Sequence, residues 1–100
     1  MPKFTVEHET KLPLDNTFDK VCDYLENSDG LKKLDPNLDW KFDKSTKTGY
    51  VKGSKFECDF KVVGNGPTKI SMTVTLPLLL TPFKSTVENT LKEKLSKILG

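Results

Sequence analysis

The fold is decided by residues 70–100, which read ISMTVTLPLLLTPFKSTVENTLKEKLSKILG. Apolar residues first recur at every second position, as in a half-buried strand, at Ile70, Met72, Val74 and Leu76. They then recur at helical spacing, at Phe83, Val87, Leu91, Leu95 and Ile98. Thr81 and Pro82 stand between the two patterns, and threonine caps free N–H groups while proline suits a first helical position. The stretch therefore predicts a strand followed by an amphipathic helix over about 82–99.

The preceding residues predict the rest of the order. Alternating apolar residues predict a first strand over residues 4–12, and a stripe that includes Phe18 and Leu25 predicts a helix with Asp15 or Asn16 as its N-cap. Further alternation predicts strands at 38–42, 50–52, 56–62 and 68–76, with a turn at 64–67. Because strands joined by short turns pair antiparallel, we expect an α+β fold in one domain, residues 1–100. In this fold, a sheet of five to six antiparallel strands curls around the long C-terminal helix.

The amino-acid composition limits the classes of partner that we expect this protein to bind. The formal net charge is +2, and the 16 cationic residues are all lysines. Lysine lacks the bidentate guanidinium that specialised phosphate and base recognition favours, so we expect no nucleic-acid partner. The N-terminus lacks the apolar core of a signal peptide, and no apolar run approaches the roughly 20 residues of a membrane span. We therefore expect a cytoplasmic protein with no transmembrane segment.

Residues with catalytic or metal-binding chemistry are few. His8 is the only histidine and has no nucleophile motif beside it, so a structural or ligand-facing role is the better interpretation. Cys22 and Cys58 are too far apart in sequence for a close-spaced metal or redox motif, and we expect both to be reduced. The carboxylates of the first helix are spaced as on a solvated face, and residues 35–39 match only the start of a calcium loop. We expect no enzyme activity, no cofactor and no metal site.

The remaining candidates are apolar. Two interpretations stay open: these residues fill the core, or some of them line a groove under the C-terminal helix or form a patch that meets apolar material. The leucines at 78–80 cannot all face one way in a strand or a helix, so we expect at least one outside the core. The candidate ligand-binding residues are Trp40, Phe56, Phe60, Met72, Leu78, Leu79, Leu80 and Phe83.

The C-terminal stretch also resembles a known family. Its strand ending in Leu76-Pro77, its three leucines, its helix entry Pro82-Phe83-Lys84 and its ending LKEKL…IL are similar to small proteins of the polyhydroxyalkanoic acid system. The first strand ending in Leu12-Pro13 and the strand led by Trp40 also fit. Family members are bacterial and cytosolic, and some are encoded near genes for storage-polyester granules, so the resemblance implies a granule-associated role. The order of elements is also similar to a reduced helix-grip fold, in which hydrophobic ligands bind between sheet and helix.

These observations lead to a small non-catalytic binding protein as the first interpretation. It would engage hydrophobic material, either a lipid-like ligand or the surface of a storage-polyester granule. The alternative is a protein–protein adaptor or homodimer that buries residues 78–80 in an interface. An enzyme ranks third, because the sequence contains no recognisable catalytic constellation.

Overall fold

The order of helices and strands is the one that the sequence predicts. The computed structural model describes residues 3–28, 37–54, 56–64, 67–77 and 82–100. These residues form β1 (Lys3–Thr10), α1 (Leu14–Glu26), β2 (Asp39–Asp43), β3 (Thr48–Lys52), β4 (Glu57–Gly64), β5 (Thr68–Thr75) and α2 (Lys84–Leu99). The five strands make one antiparallel sheet in the order β1-β5-β4-β3-β2. The expected α+β architecture is confirmed, with five strands in the described part of the chain.

The sheet has one apolar and one polar face because its strands alternate in register. Met72 of β5 pairs with Val6 of β1 and with Phe60 of β4, and all three side chains are buried. The neighbouring positions point the other way, where the Lys69 ammonium donates to Glu7 Oε2 at 2.7 Å. Because of this alternation, the apolar face of the sheet forms one side of the core.

Helix α2 lies on the apolar face, against β1 and α1. Its buried residues are Leu91, Leu95 and Leu99, so burial begins only near the middle of the helix. The Thr10 hydroxyl donates to the Leu99 carbonyl oxygen at 2.6 Å, which fixes the end of α2 on β1. No helix among the described residues is long and apolar enough to cross a membrane.

Helix α1 packs against β4, β5 and α2 through one apolar stripe. Its N-terminus differs from the prediction, because the N-cap is Pro13 and neither Asp15 nor Asn16. The Pro13 carbonyl accepts the Thr17 N–H and the Thr17 hydroxyl, each at 3.0 Å. Asp15 instead lies in the first turn and pairs with Lys47 at 3.0 Å, and this ammonium lowers the pKa of the Asp15 carboxyl.

Strand β1 and helix α2 are both shorter than the apolar patterns suggest. Strand β1 ends at Thr10, whose hydroxyl oxygen accepts the Leu12 N–H at 3.2 Å and turns the chain away from the sheet. Helix α2 begins at Lys84, after a single tight turn at Pro82 and Phe83. The N-cap of α2 is Phe83, with no side-chain hydrogen bond. The expected cap, Thr81, lies outside the described residues.

Gly49 allows two aromatic rings to meet across β3. It pairs with Phe42 on one side and with Phe60 on the other, and the centroids of these two rings are 5.9 Å apart. A Cβ atom at position 49 would lie 2.6 Å from Phe60 Cε1 and 2.7 Å from Phe42 Cδ1. Only glycine leaves room for this pair.

Candidate functional site

An apolar cavity lies where both helices meet the sheet. It has a volume of about 50 Å³. Its walls come from the last turn of α1, the ends of β4 and β5 and the first half of α2. The lining residues are Leu25, Phe56, Cys58, Val74, Leu76, Val87 and Leu91.

Local structure explains why these side chains converge. Cys58 and Val74 are paired residues of β4 and β5, so they share the inner face of the sheet. Phe56 and Leu76 stand two residues beyond them and keep the same alternation. Val87 and Leu91 are four residues apart on α2 and therefore face the sheet together. The position of the cavity therefore follows from the alternation along the strands, from the helical spacing on α2 and from the way in which the helices cover the sheet.

The cavity can hold only a small apolar group as it stands. A cavity needs at least about 10–15 Å³ to hold one water molecule, so 50 Å³ leaves room for at most about three to five water-sized groups. Small-molecule pockets usually enclose about 300–1,000 Å³. A larger ligand would require one wall to move.

The described lining of the cavity supplies no acid, base or activated nucleophile. Its only titratable group is the Cys58 thiol, and burial raises the pKa of this thiol to about 12. The thiol therefore stays protonated at neutral pH and behaves as a small apolar group. Burial, followed by the charges of Glu26 and Asp19, likewise raises the pKa of Cys22 to about 12. The arrangement favours apolar contact and not covalent chemistry.

One wall of the cavity is held more weakly than the others. Between Lys84 and Thr90, α2 has no buried residue, and Val87 is only half-buried. Phe83, immediately before the helix, is 56% exposed. Segments with few buried apolar contacts open at lower free energy than the core does. The first half of α2 is therefore the part of the cavity wall that moves most easily.

The predicted ligand-binding residues occupy different places. Phe56 lines the cavity, whereas Phe60 and Met72 are core residues that do not reach it. Trp40 lies on the inner face of β2 opposite Val51 and is half-buried. Phe83 is exposed beside the first turn of α2. Leu78, Leu79 and Leu80 lie outside the described residues.

Six lining residues were absent from the predicted ligand-binding set. Their inward registers were visible in the sequence, but that pattern does not distinguish a residue that lines a cavity from one that fills the core. The difference depends on how closely α2 approaches the sheet. These residues are Leu25, Cys58, Val74, Leu76, Val87 and Leu91.

Three of the titratable groups considered in the sequence, His8, Asp15 and Asp19, have structural partners. His8 Nε2 lies 3.2 Å from the Gly100 oxygen, at the end of α2. Asp15 and Asp19 of α1 pair with lysines of the β2–β3 turn, Asp19 with Lys44 at 3.5 Å. In the part of the chain that the structure describes, no three His, Cys, Asp or Glu side chains form a group that could hold a metal ion.

A larger groove on the outer face of the sheet has a different character. It has a volume of about 490 Å³ and is open to solvent. Charged and hydroxyl side chains of β2 to β5 line most of it, with Tyr50 beside them. Lysine and aspartate alternate there, so no single charge dominates and the groove indicates no particular ligand. The small apolar cavity is the more specific site.

No protein-family model and no curated protein sequence matches the chain. Solved structures do match over its full length. TTHA0849 from Thermus thermophilus superposes with a TM-score of 0.62 at 16% identity, covering 98% of this chain and 94% of the other. Ara h 8.0201 gives a TM-score of 0.58 at 13% identity, covering 99% and 95%. These structural neighbours share a helix-grip-like fold with the chain.

Proposed function

We propose that this protein is a small non-catalytic binding protein that takes up hydrophobic material beneath the first half of α2. The observation that carries the proposal is an entirely apolar cavity whose lining includes the weakly anchored end of a helix. Imperfect packing around a cavity costs stability, whereas a binding site requires both the space and a wall that can move.

The size of the cavity limits the affinity with which it can bind an apolar tail. Each buried methylene contributes about 0.8 kcal/mol, so a tail of three to five carbons contributes about 2–4 kcal/mol. This range corresponds to millimolar binding. A longer lipid-like tail would bind more tightly only if α2 moved away from β4 and β5.

Titration with a fluorescent fatty-acid analogue tests this function. Val87→Phe should fill the cavity and weaken binding about tenfold or more, since a few methylene-sized spaces are lost. Thr90→Phe adds the same ring on the exposed face of α2 and should bind as the unchanged protein does. Urea melts would show whether both variants fold. Failure of the unchanged protein to bind both the analogue and a short alcohol such as hexanol would contradict the proposal.

A granule surface is a second form of hydrophobic material that the protein could engage. The resemblance to polyhydroxyalkanoic acid system proteins and the exposed Phe83 support this form. Amorphous polyhydroxybutyrate particles should then sediment with the protein. Phe83→Lys should reduce the bound fraction, whereas Thr90→Lys on the exposed face of α2 should not. Equal sedimentation of both variants would exclude a contact through Phe83.

Phe83 is also the starting point for one function of another class. Contiguous exposed apolar patches mark interaction surfaces, and such a patch would have to combine Phe83 with further apolar residues. The protein would then act as an adaptor or homodimer through Phe83 and the neighbouring residues 78–80. Light scattering should show a mass that rises with concentration, and Phe83→Lys should abolish the rise. A constant monomer mass would exclude the homodimer.

A further inference from the structure

One half-buried lysine lies on the helix face that covers the cavity. Lys84, Val87 and Leu91 are spaced by three and four residues, so they share one face of α2. Val87 and Leu91 line the cavity, and Lys84 precedes them by one turn and is half-buried. In an amphipathic helix, charged residues normally occupy the opposite, solvent-facing side. The position of Lys84 therefore needs an explanation.

Lys84 has no carboxylate partner within the described ranges. Glu88, one turn further along α2, is paired with Lys92 at 3.4 Å. The first turn of α2 contains no acidic residue. The Lys84 ammonium is therefore free to pair with an added anion, while its methylene stem can lie against apolar surface.

We propose that the hydrophobic ligand is a short aliphatic carboxylate, with its tail in the apolar cavity and its carboxylate paired with Lys84. This inference rests on the proposed function. Helical side chains lean toward the helix N-terminus, so in this arrangement the Lys84 ammonium would lie beyond the apolar lining, on the N-terminal side of Val87. A ligand can then keep its charge outside the cavity and its chain inside.

The chemistry of the site determines both the charged head group and the apolar tail of the ligand. An ionised group inside the cavity would lack hydrogen-bond partners, which is strongly unfavourable, so the charge must remain at Lys84. A single ammonium matches a singly charged carboxylate, whereas phosphate groups are usually held by several donors. The cavity volume limits the tail to about three to five carbons. Hexanoate, with a five-carbon tail, meets these requirements.

A comparison of hexanoate with hexanol tests the inference. NMR titrations would follow the methyl signals of Val87 and Leu91 with each compound at pH 7. Lys84→Gln should weaken hexanoate binding about tenfold, as expected for loss of a charge-assisted contact, and should leave hexanol binding within about twofold. Lys94→Gln, at an exposed position ten residues further along α2, should change neither titration.

The outcomes separate the two proposals. If hexanol and hexanoate bind equally and Lys84→Gln affects neither, the carboxylate assignment is wrong while hydrophobic binding stands. If hexyl phosphate binds more tightly than hexanoate through Lys84, the head group is wrongly assigned. If no compound shifts the Val87 and Leu91 signals and the fluorescent analogue also fails to bind, both proposals are wrong.

Discussion

The absence of a side chain at Gly49 allows the aromatic rings of β2 and β4 to pack against each other across β3. Phe42 and Phe60 flank it in register, and both rings lie closer to the missing Cβ position than van der Waals contact allows. Phe60 in turn contacts Phe18 of α1, with ring centroids 5.8 Å apart. The packing of α1 on the sheet therefore depends on this glycine.

Gly49→Ala should destabilise the protein by about 1–3 kcal/mol, the usual range for overpacking a core. The added methyl group would force Phe60 or Phe42 out of its present position. Urea melts followed by Trp40 fluorescence would measure the change. Gly64→Ala is the matched control, because its Cβ would lie 3.7 Å from Leu14 Cδ2, an ordinary contact. An effect of Gly49→Ala no larger than that of the control would contradict this account.

The Glu7–Lys69 pair should make stability depend on pH. A hydrogen bond and the charge of Lys69 lower the pKa of the Glu7 carboxyl from 4.5, so ionised Glu7 stabilises the folded state above that value. This contribution is lost as the pH falls below 4.5 through the lower folded pKa. In urea melts between pH 6 and pH 3, Glu7→Gln should lose less stability than the unchanged protein.

The control for this prediction is Glu93→Gln, which removes an exposed carboxylate of α2. It should keep the full acid dependence of the unchanged protein. Salt at about 1 M should reduce the contribution of the Glu7–Lys69 pair, because exposed charges are screened. An identical acid dependence in Glu7→Gln and the unchanged protein would show that the pair contributes nothing to stability.

At the scale of elements, α2 is anchored unevenly. All of its buried residues lie from Leu91 onward, and its C-terminal end is tied to β1 through the Thr10 hydroxyl. Its first half covers the cavity with Val87 half-buried. Amide hydrogen exchange should therefore be faster before Leu91 than after it, since local opening requires less apolar surface to be exposed there.

Substitutions along α2 should follow the same gradient. Leu95→Ala should destabilise the protein by about 3–5 kcal/mol, because Leu95 is 0% exposed and its neighbours cannot close the space. Leu91→Ala should cost about 2–3 kcal/mol, since Leu91 already borders the cavity and is 9% exposed. Chemical denaturation of both variants would measure the difference. A smaller loss for Leu95→Ala than for Leu91→Ala would contradict the uneven anchoring.

At the scale of the whole molecule, the fold was largely readable from sequence and the site was not. Alternation on β4 and β5 and the stripe on α2 predicted the sheet and its covering helix, because each residue's burial follows from its own periodicity. The N-cap at Pro13 could not be predicted, since it depends on the Thr17 side chain turning back on the chain. The cavity depends on the distance between α2 and the sheet, which no local pattern encodes.

The modification rates of the two cysteines measure how readily the folded structure opens. Cys58 is 4% exposed and lines the cavity, whereas Cys22 is half-buried on α1. Iodoacetamide at pH 8 should modify Cys22 first, as followed by mass spectrometry, because reaction at Cys58 requires the structure to open. A bound ligand should slow modification of Cys58 and leave Cys22 unchanged. Equal rates for both thiols would show that the cavity admits reagents freely.

The pairing of β1 with β5 has a consequence for synthesis on the ribosome. Strand β1 is translated first, yet the strand it pairs with spans Thr68–Thr75, and the helix end that binds Thr10 comes later still. Phe4 and Val6 therefore have no sheet to join until residue 75 has been made. Such distant pairing slows folding and leaves an apolar strand edge unprotected while the chain grows. Until then, the growing chain exposes apolar residues of β1 that the folded protein buries.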